Sequence, residues 1–342
     1  MQVGVNYPWL DYGWDFGAAP PSWRRGRTVP RWFDVIDAHL DYFSDLGITV
    51  VRWFILADGL TYGTGDAAPR RDVSVRGGWR FDPPPIADAF LEHFAALLYR
   101  FAEAGGRALR PIRLLPVFVD FHFCRPGTTP VEVHDAETGR TVIDPRWVKQ
   151  GRVQALVDPL ARQRFLARAL DPLLAISGAY RDVIYAWELM NEPDWITRGW
   201  PRNPFRRAPV PAAAMRAFLE AGRDRVQAFG FKSTIGFASA RTLRAAGIAV
   251  DIHQFHHYPG GGRRLEAHER LPGIIGEFAT TPTDIWPELR GTDQTLFSRL
   301  TFARERGYPL AIPWSFHGVD RHTAWSADVE QDLRRFNALE SA

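Results

Sequence analysis

Eight short apolar runs punctuate the chain: Val3–Tyr7, Thr49–Ile55, Ile112–Phe121, Val183–Met190, Ser233–Phe237, Asp251–His256, Gly273–Phe278 and Leu310–Ser315. They are rich in Val, Ile and Phe. Several are apolar at consecutive rather than alternate positions, as expected of parallel strands covered on both faces. Segments of helical period lie between them. Phe33–Leu46 places Ile36, Leu40 and Phe43 on one face and stops at Gly47; Ile86–Ala104 carries Phe90, Phe94, Leu97, Leu98 and Phe101 and is predicted to stop at Gly105-Gly106. Leu160–Ile176, Ala212–Phe229, Thr292–Arg306 and Asp328–Leu339 share that period, while the crossovers near Arg241–Ala246 and Arg264–Leu271 are short.

Strands alternating with helices through the whole chain predict an α/β fold, a (β/α)8 TIM barrel forming a single domain over 1–342. A doubly wound open sheet is the alternative. It would more often carry a Gly-rich phosphate loop after the first strand, which Tyr7-Pro8-Trp9 is not. Long loops follow the second strand (Ala57–Phe81), the third (Phe123–Gln150) and the fourth (Asp194–Ala213), all at the C-terminal ends where a barrel builds its active site. Within the second of these, Val131–Ile143 around Thr138-Gly139 predicts a small hairpin.

Composition changes this picture at a few points. The 342 residues suit one barrel of roughly 250 residues plus insertions. With 46% hydrophobic and 24% charged residues, wholesale disorder is excluded. A net charge of +3 gives no footprint for nucleic acid, and no stretch is apolar enough to span a membrane. The start lacks a signal-peptide pattern, so a cytoplasmic location is expected if Met1 is the native start, and secretion if the start was trimmed. Cys124 is the sole cysteine, which rules out an intrachain disulfide and favours inert packing over a nucleophile. Arginines cluster at Arg24-Arg25-Gly26-Arg27, Arg70-Arg71, Arg206-Arg207 and Arg263-Arg264. Solvated charge is the default reading in such loops; facing an anionic group on a ligand is the other. The 13 Trp residues ask for a use beyond filling a core.

The strongest local signal is Trp187-Glu188-Leu189-Met190-Asn191-Glu192-Pro193. Glu192 ends an apolar strand, and the proline after it stops strand pairing. Glu188 points the same way but deeper, a position that suits pairing with an arginine. In Gly273-Ile274-Ile275-Gly276-Glu277-Phe278 a second carboxylate, Glu277, closes an apolar strand. Two such groups facing each other across a barrel mouth are what acid–nucleophile cleavage of a glycosidic bond needs. Arg52 lies near the end of the second strand; His122 ends the third, His256-His257-Tyr258 the sixth and Trp314 the eighth, with His317 and Asp320 just beyond. An aldolase or isomerase barrel would want a Schiff-base lysine, and neither Lys149 nor Lys232 sits at a strand's C-terminal end.

This ordered set resembles the retaining glycoside hydrolases of clan A, most of all family 5, which contains cellulases and mannanases. That family carries Arg on strand two, His on three, Asn-Glu-Pro on four, His-x-Tyr on six, Glu on seven and Trp on eight. The chain supplies Arg52, His122, Asn191-Glu192-Pro193, His256-x-Tyr258, Glu277 and Trp314 in that order. The resemblance implies Glu192 as general acid/base, Glu277 as nucleophile, Asn191 on the sugar 2-hydroxyl, and Arg52 and Tyr258 orienting an ionised Glu277. His256 or His257 would bond near Glu192. Arg52 is expected to lower the pKa of Glu277 while burial raises that of Glu192. Sugars stack on indole rings, so Trp9, Trp53, Trp195, Trp200, Trp314 and Trp147 are expected at the mouth, with Trp32, Trp79, Trp187 and Trp286 in packing. The implied activity is that of a retaining β-glycosidase with a covalent glycosyl-enzyme intermediate, favouring chain ends or small glycosides. An endo-acting β-glucanase or β-mannanase is the alternative, and a catalytically silent carbohydrate-binding barrel the reading from another class. The expected partner is a carbohydrate, with no cofactor or metal called for.

Overall fold

The computed structural model describes residues 1–10, 15–17, 29–59, 61–62, 83–107, 111–124, 132–135, 140–143, 152–203, 208–260, 262–318 and 320–341. Eight parallel strands close into a barrel: β1 (Gln2–Asn6), β2 (Val50–Phe54), β3 (Arg113–Asp120), β4 (Trp187–Asn191), β5 (Ser233–Phe237), β6 (Ile252–His256), β7 (Ile274–Ala279) and β8 (Leu310–Trp314). Each pairs with its neighbours in chain order, and β8 returns to β1 through Val3↔Ala311. The structure is thus the (β/α)8 barrel that the periodicity predicts. Glu132–Asp135 and Arg140–Ile143 pair antiparallel as the expected hairpin.

The helices α1 (Phe33–Asp45), α2 (Asp88–Arg107), α3 (Pro159–Phe165), α4 (Asp171–Ser177), α5 (Ala212–Ala228), α6 (Ala240–Ala246), α7 (Leu296–Glu305) and α8 (Ala327–Ser341) surround the strands. The apolar faces read from the sequence are the buried ones: Ile36, Leu40 and Phe43 on α1, and Phe90, Phe94, Leu97, Leu98 and Phe101 on α2. Each such side chain contributes roughly 1.5–3 kcal/mol on burial. Side-chain caps start several helices: Asp158 accepts from the Ala161 amide, Ser239 from that of Thr242, Thr295 from that of Ser298 and Ser326 from that of Val329.

Three boundaries differ from the pattern. α2 runs through Gly105 and Gly106 to Arg107, because a glycine that keeps negative φ lowers helix propensity without ending the helix. The predicted helix Leu160–Ile176 is divided by a π-helical turn, Leu166–Leu170, just before Pro172, whose nitrogen cannot donate to an α-helical ladder. The fourth strand, read from Val183, begins only at Trp187, because Val183 closes a 3-10 helix.

The barrel interior is layered. Val50, Leu115, Ile274, Leu310 and Ile312 form an apolar floor. Above it lies a buried polar layer containing Asn6, Arg52, Glu188 and Gln254. Gly236 and Gly276 make room for this layer. A Cβ on Gly236 would run into the Glu188 carboxylate, and one on Gly276 into the Gln254 amide. Over the polar layer, Phe54, Ala57, Val117 and Trp314 form an apolar cluster against which Trp9 and Tyr258 pack.

Candidate active site

Two carboxylates stand at the C-terminal ends of β4 and β7. Beyond Asn191 the backbone turns left-handed at Glu192 (φ 43), and the Glu192 amide donates to the Gly236 carbonyl at 2.7 Å. A left-handed non-glycine residue is uncommon and concentrates at functional sites. Pro193, lacking an N–H, ends pairing there. The β6–β7 register shifts between Phe255 and His256, so that His256 comes to lie opposite Glu277. The β4–β5 register likewise shifts between Glu188 and Asn191. Such irregularities re-aim side chains, here at the rim that carries the charged groups.

Arg52 organises the layer beneath. Its Nε and one terminal nitrogen both bond Glu188 at 2.6 Å, a two-point fork. The other terminal nitrogen donates to Glu277 Oε1 at 2.7 Å and to Asn6 Oδ1 at 2.8 Å. Asn191 Oδ1 accepts the remaining bond at 2.8 Å, and its amide donates to Asp120 Oδ1 at 2.7 Å. Gln254 donates to Glu188 at 2.8 Å, and the Asn6 amide is anchored on the carbonyls of Gly276, Ile312 and Pro313. Glu188 is therefore the deep carboxylate paired with arginine.

Both oxygens of Glu277 are held, Oε1 by Arg52 and Oε2 by the Tyr258 hydroxyl at 3.2 Å. Glu192 lies nearer solvent, its side chain 15% exposed against 6% for Glu277. Glu192 Oε2 accepts from Trp195 Nε1 at 2.6 Å and Oε1 faces His256 Nδ1 at 2.9 Å. The same His256 nitrogen lies 3.3 Å from Glu277 Oε2. One oxygen of each glutamate and a ring nitrogen of His256 all fall within 4.8 Å of one another.

That triad offers three ligand atoms of a kind a cation could use. Glu277 already spends both oxygens, however, and the Arg52 guanidinium beside it opposes a second positive charge. The arrangement suits a shared proton better than a metal. Burial pushes the Glu277 carboxyl up to about 7, against the downward pull of His256 and Arg52. Arg52 cannot offset that burial because it is divided between two carboxylates; its own ionisation is opposed by burial but strengthened by Glu188 and then Glu277. Burial also raises Glu192, but the His256 hydrogen bond and charge, the Trp195 N–H and Arg202 outweigh it, leaving this carboxyl below its ordinary value. His256 is raised, because Glu277 and Glu192 overcome the effect of burial. The order of the two glutamates is thus the reverse of the sequence expectation. The reason is His256, whose hydrogen bond and charge favour the ionised form of Glu192. Tyr258 stays a hydroxyl donor, raised first by burial and then by the two glutamates.

A pocket of about 860 Å³ opens over the pair, and among its lining residues are Asn191, Glu192, Glu277, His122, Tyr258, Trp9, Trp195 and Trp314. The structure does not bring His257 there. Its ring packs edge-on against Trp286, and burial lowers it to about 3. Strand alternation explains this, since neighbours on a strand face opposite ways. Trp53 and Trp200 are also absent from the pocket: Trp53 is buried with its N–H on Asp15 at 2.8 Å, and Trp200 packs against Phe237. Trp314 lines the pocket with its N–H held by Asp320 at 3.0 Å, while His317 packs against Tyr7. Trp187 and Trp286 are fully buried and Trp32 partly so. Cys124 is buried, which raises its thiol. Trp79, Trp147, Lys149 and the arginine clusters at 24–27, 70–71 and 206–207 lie outside the described residues.

Sequence reasoning overlooked Asn6, Asp120 and Gln254. Each is a polar residue in an apolar run, and the register sets Asn6 opposite Arg52 and Asp120 opposite Asn191. Asp120 also bonds the His122 ring. The signal was the same one that drew attention to Glu277.

No known family's sequence model matches the chain, and no curated protein matches it in sequence. Solved structures do. The β-mannanase of the blue mussel Mytilus edulis is 15% identical, with 98% of this chain and 91% of that one covered at a TM-score of 0.65. A glycoside hydrolase family 5 enzyme from Prevotella bryantii B14 is 13% identical, with 98% and 95% covered at 0.55. An exo-β-1,4-mannosidase from Opitutaceae bacterium strain TAV5 is 15% identical, with 99% of this chain but 59% of that one covered at 0.55. At these identities the likeness establishes a shared barrel fold.

Proposed function

We propose that this chain is a retaining β-glycosidase of the family 5 kind, cleaving β-mannosidic or closely related bonds in small glycosides or at chain ends. The observation that carries the proposal is the pair Glu192 and Glu277, with oxygens within 4.8 Å of each other at the base of a pocket. Retention goes with carboxyl groups about 5–5.5 Å apart, and inversion with about 6.5–9.5 Å to admit a water. The short separation supports the retaining course. Glu277, fixed at both oxygens, is the nucleophile that attacks the anomeric carbon. Glu192, nearer solvent, gives a proton to the leaving oxygen and then takes one from the attacking water. Tyr258 and Arg52 keep the attacking oxygen on line, and Trp314 offers an apolar face for the sugar ring.

His256 and Trp195 hold the Glu192 carboxyl below its ordinary value. The acid step therefore needs the His256 proton moved onto Glu192, across a contact of 2.9 Å. The β-mannoside preference rests on the neighbours named for mannan and mannosides. A recess of about 860 Å³, of a size that holds a small ligand, supports action on short substrates.

The test is turnover on a panel of aryl β-glycosides, with the anomer first released read by NMR. Retention, together with mass-spectrometric capture of a 2-deoxy-2-fluoroglycosyl group on Glu277, is expected. Inverted product, or labelling elsewhere, would sink the assignment. Activity on internal bonds of a polysaccharide without release of monosaccharide would replace the chain-end mode with the endo one. Saturable sugar binding without turnover would favour the silent barrel.

A further inference from the structure

The pocket wall beside Glu192 carries two arginines to which the steps above assign no contact with substrate. Arg202 follows β4, and its guanidinium carbon lies 3.2 Å from the centre of the Trp195 ring, which itself donates to Glu192. Arg263 follows β6 and lines the same pocket. Both residues are exposed, and among the described residues neither forms an ion pair. By contrast Arg52, Arg100, Arg107, Arg223, Arg225 and Arg244 each hold a carboxylate.

The nearby acids hydrogen-bond to groups other than these two arginines. Glu192 is taken by His256 and Trp195, and Asp194 accepts from the Ala238 amide at 3.0 Å. Across the pocket Asp320 holds Trp314 and the His322 amide, and Asp284 holds the His322 ring at 2.6 Å. Burial lowers the Arg202 guanidinium, Glu192 and Asp194 pull it back up, and the charge of Arg263 lowers it further. Two adjacent guanidiniums over one pocket form a forked set of donors suited to carboxylate, phosphate or sulfate oxygens.

We infer that the leaving-group side of this pocket receives a negatively charged sugar or aglycone, its anionic group bound between Arg202 and Arg263. The inference rests on the glycosidase reading for its direction. Glu192 protonates the leaving oxygen, so what departs passes over the wall that carries Trp195 and Arg202. It gives Arg263, of the Arg263-Arg264 pair, a ligand contact rather than solvated charge alone.

The experiment compares kcat/KM for two chromogenic aryl β-mannosides whose leaving rings differ by one carboxylate, in wild type, Arg202→Gln and Arg263→Gln. Taking the ratio of charged to neutral substrate removes whatever a substitution does to both. The ratio is expected to fall about fivefold in either variant, the upper end for an exposed ion pair, and to collapse in wild type at high salt. Ratios equal to wild type in both variants would overturn the inference while leaving the glycosidase reading intact. If wild type turns over neither mannoside nor any of the panel, that reading fails, and calorimetry decides this one separately. Glucuronate, glucose 6-phosphate and glucose 6-sulfate are titrated against neutral glucose. Saturable binding of any charged sugar that weakens in Arg202→Gln supports the site and names its group. Charged and neutral sugars behaving alike overturns it.

Discussion

Glu277→Gln tests the electrostatics of the site and its chemistry together. The glutamine keeps the shape and can accept from Arg52, but it never ionises. The wild-type carboxyl is held at about 7 against an ordinary 4.5, chiefly by burial. Between those values the native state keeps a proton that the unfolded chain has released. Wild-type stability from this group therefore falls as pH rises from about 4.5 to about 7, then levels off. The full cost of ionising it in place is about 3 kcal/mol. The variant escapes that cost. Its stability relative to wild type is expected to improve by about 2–3 kcal/mol between pH 5 and pH 8. Urea denaturation of both proteins at pH 5, 6, 7 and 8 measures this directly, and a constant offset from altered hydrogen bonding cancels. Turnover in the variant is expected to fall by about a thousandfold or more. Stability curves that run parallel across this range would refute the claim that burial outweighs Arg52 at Glu277.

If Glu277 must be ionised to attack, kcat/KM is expected to lose activity on its acid side with a midpoint at about 7; a pH profile flat down to pH 5 would contradict this. Glu192→Gln is expected to keep reacting with dinitrophenyl glycosides, which need little protonation, and to regain turnover when azide replaces water; failure of both would remove Glu192 from the acid/base role. Tyr258→Phe removes the donor to Glu277 Oε2. It is expected to lower kcat by about 10- to 100-fold, the worth of one hydrogen bond to a charged group, with an unchanged urea midpoint. Arg52→Met leaves Glu188 and Glu277 buried without their cation and is expected to destabilise by about 3–5 kcal/mol; adding Glu188→Met should restore part of that, which thermal and urea melts of both variants will show.

The reversed order of the glutamates marks where sequence reasoning stops. Arg52 and Glu277 are legible as charges closing apolar strands, and their pairing follows from barrel closure. That Arg52 is divided between Glu188 and Glu277, and that His256 bridges Glu192 and Glu277, depends on register shifts on β4 and β6. No pattern in the chain announces those shifts. The same holds for the tryptophans. Trp314 ends β8 and lines the pocket, whereas Trp53, next to Arg52 on β2, points outward into packing. A two-residue periodicity would have separated them, and so would it have separated His256 from His257.

The sequence by itself determined the barrel, because eight apolar runs alternating with amphipathic helices have few other ways to bury both faces of every strand. It also determined which polar residues would stand at the strand ends. The tertiary structure decided how those residues share charge. It also decided which aromatic rings reach the pocket, and that Arg202 and Arg263, sixty-odd residues apart, meet on one wall. Strand position is a local property written in hydrophobic period. Proton sharing and charge pairing depend on distances of a few ångströms between strands, which only closure of the barrel sets.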